Sequence, residues 1–502
     1  MKKALSLLLA ISLLSPLFAA CSESGDNNKP IPSAEAADDA AANASDEEET
    51  EAETEARLLP DIPDTTYGGQ SFRFLSREIT DAVVRFYSEV ACDETNGEIM
   101  NDTVFERTGR LEAQYDIKFV NDTSGDVTGD YQKTYMAGQQ DWDVLIAGFS
   151  AVLGQTNNGY TADLSTIPYI DFAKPWWDTN VANSMKIKNS VFSAIGAMNT
   201  WTDSHTYAVV FNKELARDFG VDAYQLVRDN QWNLDTFAAI LEQVTNDADG
   251  NGEMDHNDRY GAVGENNDFQ FHVLGCDVFV IGHDEEGLPV LNLDEHLFNA
   301  ADKVCQIMNS GNYLIAERLA GKVDDVWGNG LRYNFRSGNS LFYVGGIEQL
   351  LIFRDLDTDI GLLPMPKYDE AQAEYRHTFS PYWSSTIFLP GNTETAEFTG
   401  AMLEALNADS YYSTSIAYYD VVLKGKAMRD TDSCEMLDII RASRTIDPEM
   451  AYNFLNANSA FIDALGSGST GKLASTFERT KKIADKNIQK LIEKIGDRGT
   501  LS

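Results

Sequence analysis

"QSFRFLS" (Gln70–Ser76) opens the stretch that decides the fold, and it reads as a strand. "GEIMNDTVFERTGRLEAQY" (Gly97–Tyr115) then reads as a helix, with Met100, Val104, Leu111 and Tyr115 along one face. "DIKFV" (Asp116–Val120) is a short strand, and a polar helix follows around residues 129–138. "DWDVLIAG" (Asp141–Gly148) is a buried strand. Strand–helix–strand–helix–strand is the βαβ pattern of a parallel sheet.

Downstream, "HTYAVVFNKELARDFGV" (His205–Val221) is a strand running into a helix. "WNLDTFAAILEQV" (Trp232–Val244) is an amphipathic helix with Asn233 or Asp235 near its cap. "DIGLLPMP" (Asp359–Pro366) and "STIFLP" (Ser385–Pro390) are strand-like. The last helix places Leu473, Phe477, Ala484, Ile488, Leu491 and Ile495 on one face, and its lysines form a solvated one. No internal repeat recurs at a fixed period.

Upstream, Lys2 and Lys3 precede an apolar run that ends in Ala19, Ala20 and Cys21. This is a secretory signal (residues 1–20) with a lipoprotein-type cleavage site, and Cys21 is the acylation site it predicts. The alternatives are an ordinary signal peptide, or an uncleaved anchor helix, with Cys21 incidental. The run is short for a membrane span, and Pro16 interrupts it. A usual lipobox carries Leu where this chain has Phe18. Residues 22–65 hold 14 acidic and 2 basic side chains and no aromatics. Such a segment cannot bury enough apolar surface to offset its ordering entropy. Residues 21–65 therefore read as a lipid-anchored, acidic, disordered linker. The protein is expected on the extracellular face of the cytoplasmic membrane.

The chain's net charge of −40 argues against a nucleic-acid partner, whose phosphates need a basic surface. Hydrophobic residues make up 43%, so 502 residues can build two lobes around large cores. Cys92, Cys276, Cys305 and Cys434 form no CxxC pair; buried thiols or one unassigned disulfide both fit. The six histidines show no HExxH spacing.

"DADGNGEMDHND" (Asp247–Asp258) has the spacing of a calcium loop. Asp247, Asp249 and Asn251 occupy positions one, three and five, with Gly252 at the sharp turn. The carbonyl of Glu253 serves at seven, Asp255 through water at nine, and Asp258 at twelve. Twelve is Asp rather than the bidentate Glu, and a strand, "RYGAVG" (Arg259–Gly264), follows instead of a helix. The loop therefore predicts a structural Ca²⁺ site rather than a sensor. The competing interpretation is a metal-free acidic surface loop.

Several segments together resemble family 1 extracellular solute-binding proteins of ABC importers, the class of maltose-binding protein. They are "YAVVFNKELA" (Tyr207–Ala216), "WNLDTF" (Trp232–Phe237), "FRSGNSLFYVGG" (Phe335–Gly346), "DIGLLPMPKYDEAQAEY" (Asp359–Tyr375) and "STIFLPGNTETAEFTGAMLEAL" (Ser385–Leu406). "VVLKGKAMRDTDSCEMLDII" (Val421–Ile440) is similar to a subgroup of large Gram-positive lipoproteins. The family's "YNK" tyrosine is Phe211 here. The resemblance implies an α/β, two-lobed, type II periplasmic-binding-protein-like fold. Each lobe is a mostly parallel sheet flanked by helices, and crossover strands join the lobes. Mapped onto this chain, the first lobe takes 66–206 and 367–410, the second 207–366 and 411–502. It implies a non-catalytic monomer that captures a carbohydrate, expected to be an oligosaccharide, and delivers it to the transmembrane subunits of an ABC permease. The alternatives are a binding protein for another solute, such as a peptide or polyol, and a secreted glycoside hydrolase with two carboxylates.

Ligands of open α/β sheets sit beyond the carboxyl ends of strands, which selects Arg77, Glu78, Phe149 and Ser150. Sugars pair apolar ring faces with hydroxyls, so aromatic platforms beside polar groups are sought. Trp177, Trp201, Trp327, Tyr382 and Trp383 lie in irregular polar segments, with Asp203 and Glu348 as hydroxyl partners. Trp232 and Trp142 read as core.

Overall fold

The computed structural model describes residues 57–78, 87–427 and 430–496. The signal, Cys21 and most of the acidic linker lie outside the described residues. The chain from Leu59 onward forms one compact unit. Its strands, in chain order, are β1 (Gln70–Arg77), β2 (Ile117–Ser124), β3 (Val144–Ala147), β4 (Tyr207–Asn212), β5 (Tyr260–Gly264), β6 (Ile281–His283), β7 (Pro289–Leu291), β8 (Tyr313–Ile315), β9 (Ser340–Gly346), β10 (Ile360–Leu363) and β11 (Thr386–Phe388).

They form two main sheets, one per lobe, and a β6–β7 hairpin. The first sheet has the order β11-β3-β1-β2. β1 runs parallel to β2 and β3, while β11 pairs antiparallel with β3, Thr386 opposite Ala147. The second has the order β10-β4-β9-β5-β8. β5 is parallel to β8 and β9, and β4 is antiparallel to β9 and β10. The antiparallel members include β4 and β11, the strands that directly follow a passage between lobes. A parallel pair needs a crossover within one lobe, and these two strands arrive from outside it.

Local sequence explains the elements. The helix Ile99–Tyr115 buries Met100, Val104, Leu111 and Tyr115. Asn233 caps Leu234–Val244 by accepting from the amides of Asp235 and Thr236, each within about a normal bond length, 3.0 and 3.1 Å. β4 is apolar almost throughout because both of its faces are covered. Val209 and Phe211 face one core with Trp232, Phe237 and Phe342; Ala208 and Val210 face another with Tyr343 and Leu362. The C-terminal helix Leu473–Gly496 buries all six residues of its apolar face.

Three chain segments lie side by side between the sheets. Thr206 bridges Phe379, and Ser380 N–H donates to His205 O at 3.0 Å. His377 bridges Arg444, with Thr445 N–H on His377 O at 2.8 Å. His377 is fully buried. Burial pushes its pKa down to about 3, so it is neutral. Its Nε2 accepts from Met365 N–H at 2.9 Å, so Nδ1 carries the proton toward Ser443 Oγ at 2.7 Å. Beside it, Arg444 ion-pairs with Asp178 at 2.6 Å and with Asp203. The four described cysteines are free thiols. Among the described residues no helix is long and apolar enough to cross a membrane.

Candidate functional site

A cleft of about 500 Å³ opens where the crossovers meet the second sheet. The parallel strands β5 and β9 end at it, as the strand-end rule requires. From them come Gly264, Glu265, Gly346 and Glu348. Tyr207 at the start of β4, Phe271 and Trp327 complete this wall. The opposite side is built by His205, Ser380, Tyr382 and Trp383.

Of the residues singled out from sequence, the structure brings Trp327, Glu348, Tyr382 and Trp383 together here. The three aromatics are 46%, 54% and 54% exposed, unusual for rings of this size and consistent with platforms rather than core. Glu265 holds the wall in shape. Its Oε1 accepts from Tyr207 OH at 2.9 Å and its Oε2 from Trp327 Nε1–H at 3.0 Å. The Tyr207 ring packs on Phe271, centroids 3.6 Å apart. Burial, then the carboxylates of Glu265, Asp268 and Glu348, hold the Tyr207 phenol well above its ordinary pKa. Gln349 Nε2 donates to Glu348 Oε1 at 3.0 Å, and Arg332 Nε to Gln349 Oε1 at 3.4 Å.

The strand-end residues of the first sheet stand one layer back. Arg77 Nη1 donates to Tyr382 O at 2.9 Å, and its guanidinium lies over the Trp383 ring at 5.6 Å. Ser150 N–H donates to Pro381 O at 3.1 Å, and Phe149 N–H to Ser384 Oγ at 3.2 Å. A Cβ on Gly148 would sit 2.7 Å from Tyr382 O. The ends of β1 and β3 therefore carry the 381–384 loop, which presents the aromatics. Ser150 lines a smaller adjoining cavity of about 300 Å³ that shares Tyr382 and Gln270 with the cleft. Glu78 is solvent-exposed and outside the cleft lining.

Four candidates are buried and stand outside this cleft. Phe149 is fully buried and packs on Phe379, centroids 5.5 Å apart. Trp177 is core: its Nε1–H and that of Trp176 both donate to Glu404, each at 2.9 Å. Trp201 is buried in a cluster with Met100, Val104 and Tyr418. Asp203 is buried and ion-paired with Arg444, outside the cleft lining. The polar company of Trp201 misleads because it is satisfied internally. Thr202 Oγ1–H donates to Ser385 O at 2.6 Å, Ser204 Oγ pairs with Tyr418 OH at 2.6 Å, and Thr206 Oγ1–H bonds Thr202 O at 3.0 Å. Sequence reading missed Tyr207, Glu265, Phe271 and Arg332. The strand-end rule already used for the first lobe would have reached Glu265, which directly follows β5.

The loop Asp247–Asp258 joins the helix Leu234–Val244 to β5, closed at its base by the Asn246–Arg259 bridge. Asp247 accepts from Gly250 and Gly252 amides, each at 2.7 Å, and the Gly252 bond is the first cause of its lowered pKa. Gly252 sits at φ +85°, a turn that favours glycine. Asn251 and Asp255 accept from Glu253 and Asn257 amides, both at 2.7 Å. Asp258 is fully buried and accepts from Ala248 and Asp255 amides at 2.8 and 2.7 Å. Asp247, Asp249 and Asp258 offer carboxylate oxygens within 4.8 Å of one another. An all-oxygen donor set of this kind fits a hard divalent cation.

No family model matches the chain, and no curated protein matches it. Solved structures do. An ABC substrate-binding protein of Listeria monocytogenes in complex with cycloalternan aligns over 85% of this chain and 99% of its own, at TM-score 0.51 and 14% identity. A Staphylococcus aureus extracellular solute-binding protein in complex with maltose aligns over 86% and 99%, at 0.52 and 12%. A Rhizobium etli sugar transporter in an open conformation aligns over 85% and 99%, at 0.54 and 14%. The chain has the two-lobed α/β fold of these substrate-binding proteins, and at such identities the likeness is one of fold.

Proposed function

We propose that this protein is the extracellular carbohydrate-binding subunit of an ABC importer, acting without catalysis. The observation that carries this reading is the cleft at the crossovers, with Trp327, Tyr382 and Trp383 exposed beside Glu265 and Glu348. Pyranose rings stack on aromatic faces, and their hydroxyls donate to carboxylates. The cleft volume lies within the range of small-molecule sites. The two-lobed solved structures that share the fold include maltose and cycloalternan complexes, which supports a saccharide ligand here. Cys21 carries the lipid that tethers the protein outside the membrane, next to the permease. The Asp247–Asp258 loop binds one structural Ca²⁺.

A thermal-shift screen of oligosaccharides, followed by calorimetric titration of the best binder, tests the function. Binding to the native state raises the melting temperature. If no saccharide of any size shifts the melt of calcium-loaded protein, the ligand belongs to another solute class.

A further inference from the structure

The second-lobe wall of the cleft is acidic and aromatic at once. Glu265 and Glu348 line it, and Arg332 is the one Lys or Arg side chain among the described lining residues. Arg77 stands behind Trp383, engaged with Tyr382 O. His205 Nδ1 lies 2.8 Å from Trp201 O. Behind Gly264, Asp268 is fully buried. Its Oδ2 accepts from Tyr313 OH at 2.8 Å and from Glu265 N–H at 2.7 Å, while its Oδ1 is buried and meets no donor. Glu317, farther back, accepts from Asn266 N–H at 3.0 Å. Burial first, then Glu265, drives Asp268 well above the usual carboxylate range.

Glu265 and Glu348 give the cleft wall one sign of charge, and an arriving cation pairs with it. A cleft lined by one sign of charge also concentrates the opposite sign. The same cavity presents the rings of Tyr207, Phe271, Trp327 and Trp383. Aromatic faces beside carboxylates are the chemistry that recognises an ammonium. Neutral hydroxyls use the carboxylates as acceptors but leave their charge in place. A uronate or sulfated sugar adds to it.

We propose that the favoured ligand is a saccharide bearing a protonated amine, seated against Glu265 and Glu348, and that anionic saccharides are rejected. This rests on the carbohydrate reading and narrows it. The test is calorimetric titration with a matched β-1,4 series: chitosan tetramer, its fully N-acetylated counterpart, cellotetraose and tetragalacturonate, with maltotetraose as a neutral sugar of different linkage. The chitosan tetramer should bind at least about tenfold tighter than any neutral member, the scale of a desolvated cation–π and charge contact. Tetragalacturonate should give no measurable heat. In Glu265→Gln and Glu348→Gln the advantage should fall to about threefold or less. Glutamine keeps an acceptor for Trp327 or Tyr207, and unliganded melts establish that each variant folds; if one does not, the other carries the test.

Neutral or anionic tetramers binding as tightly as the chitosan tetramer would overturn the proposal. So would a preference that survives both substitutions, because it would then reflect diffuse attraction to a chain of net charge −40. Binding of a neutral tetramer with none of the chitosan tetramer overturns it while leaving the carbohydrate reading intact. Absence of binding by every saccharide removes both.

Discussion

Trp383 stands 54% exposed with Arg77 behind it, whereas Trp201 is 5% exposed among core side chains. The two should respond oppositely to truncation. Trp383→Ala or Trp327→Ala removes a platform and should weaken saccharide binding by about 1–3 kcal/mol. Unliganded melts of those variants should stay close to wild type. Trp201→Ala opens a cavity and should cost about 3–5 kcal/mol of stability. Titration beside thermal melts separates the two outcomes; equal effects on both measurements would reject the assignment. A second residue-scale expectation concerns three buried carboxyls. Burial raises Glu404 to about 7, Asp447 to about 6 and Glu449 to about 8. Each folded value exceeds the unfolded one, so the native state binds more protons between the two. Stability is thus full below the unfolded values and falls as pH rises through the folded ones. Melting temperature should decline from about pH 5 to 8. Glu404→Gln should flatten the part of that decline near pH 7, whatever its effect on absolute stability.

At the scale of elements, the Asp247–Asp258 loop offers a cleaner mutation than its buried aspartate. Asp258 organises the loop by accepting from two backbone amides. Asp249 is exposed and accepts from the backbone and side-chain N–H groups of Asn251. Asp249→Ala should therefore leave the chelated protein's melt unchanged and abolish the upward shift expected of wild type with Ca²⁺. A wild-type melt indifferent to chelator would reject the ion. Elements of this kind were legible in the sequence because their signals are local. Periodicity marked the Ile99–Tyr115 and Leu473–Gly496 helices, and Asn233 or Asp235 marked a cap that the structure gives to Asn233. Long-range placement was not legible. Nothing local tells that Arg444 returns to the crossovers to meet Asp178 and Asp203, or that Glu404 receives two indole N–H groups from Trp176 and Trp177. The site was read in the same uneven way. The 381–384 aromatics stood out by type, but the roles of Arg77 and Ser150 in supporting that loop depend on tertiary contacts.

At the scale of the whole molecule, the cleft draws on both sides of the crossovers, and the proposed capture is therefore a question of conformational equilibrium. A ligand shifts that equilibrium only through affinity that differs between states. Trp383 lies on the side carried by the first sheet, and Trp327 on the side carried by the second. In the proposed role, a saccharide touching both rings would gain its full contact only when the lobes approach, which would make binding and closure one event. Saturating ligand should therefore reduce the radius of gyration measured by small-angle scattering. Trp383→Ala and Trp327→Ala should each diminish the contraction at matched saturation, since each removes one half of the bridge. A variant at Glu78, exposed and outside the cleft lining, should contract like wild type. Binding without any contraction would mean that one lobe alone holds the ligand. The three crossover segments, hydrogen-bonded side by side through His205, Ser380, His377 and Thr445, would then act as a rigid strut rather than a hinge.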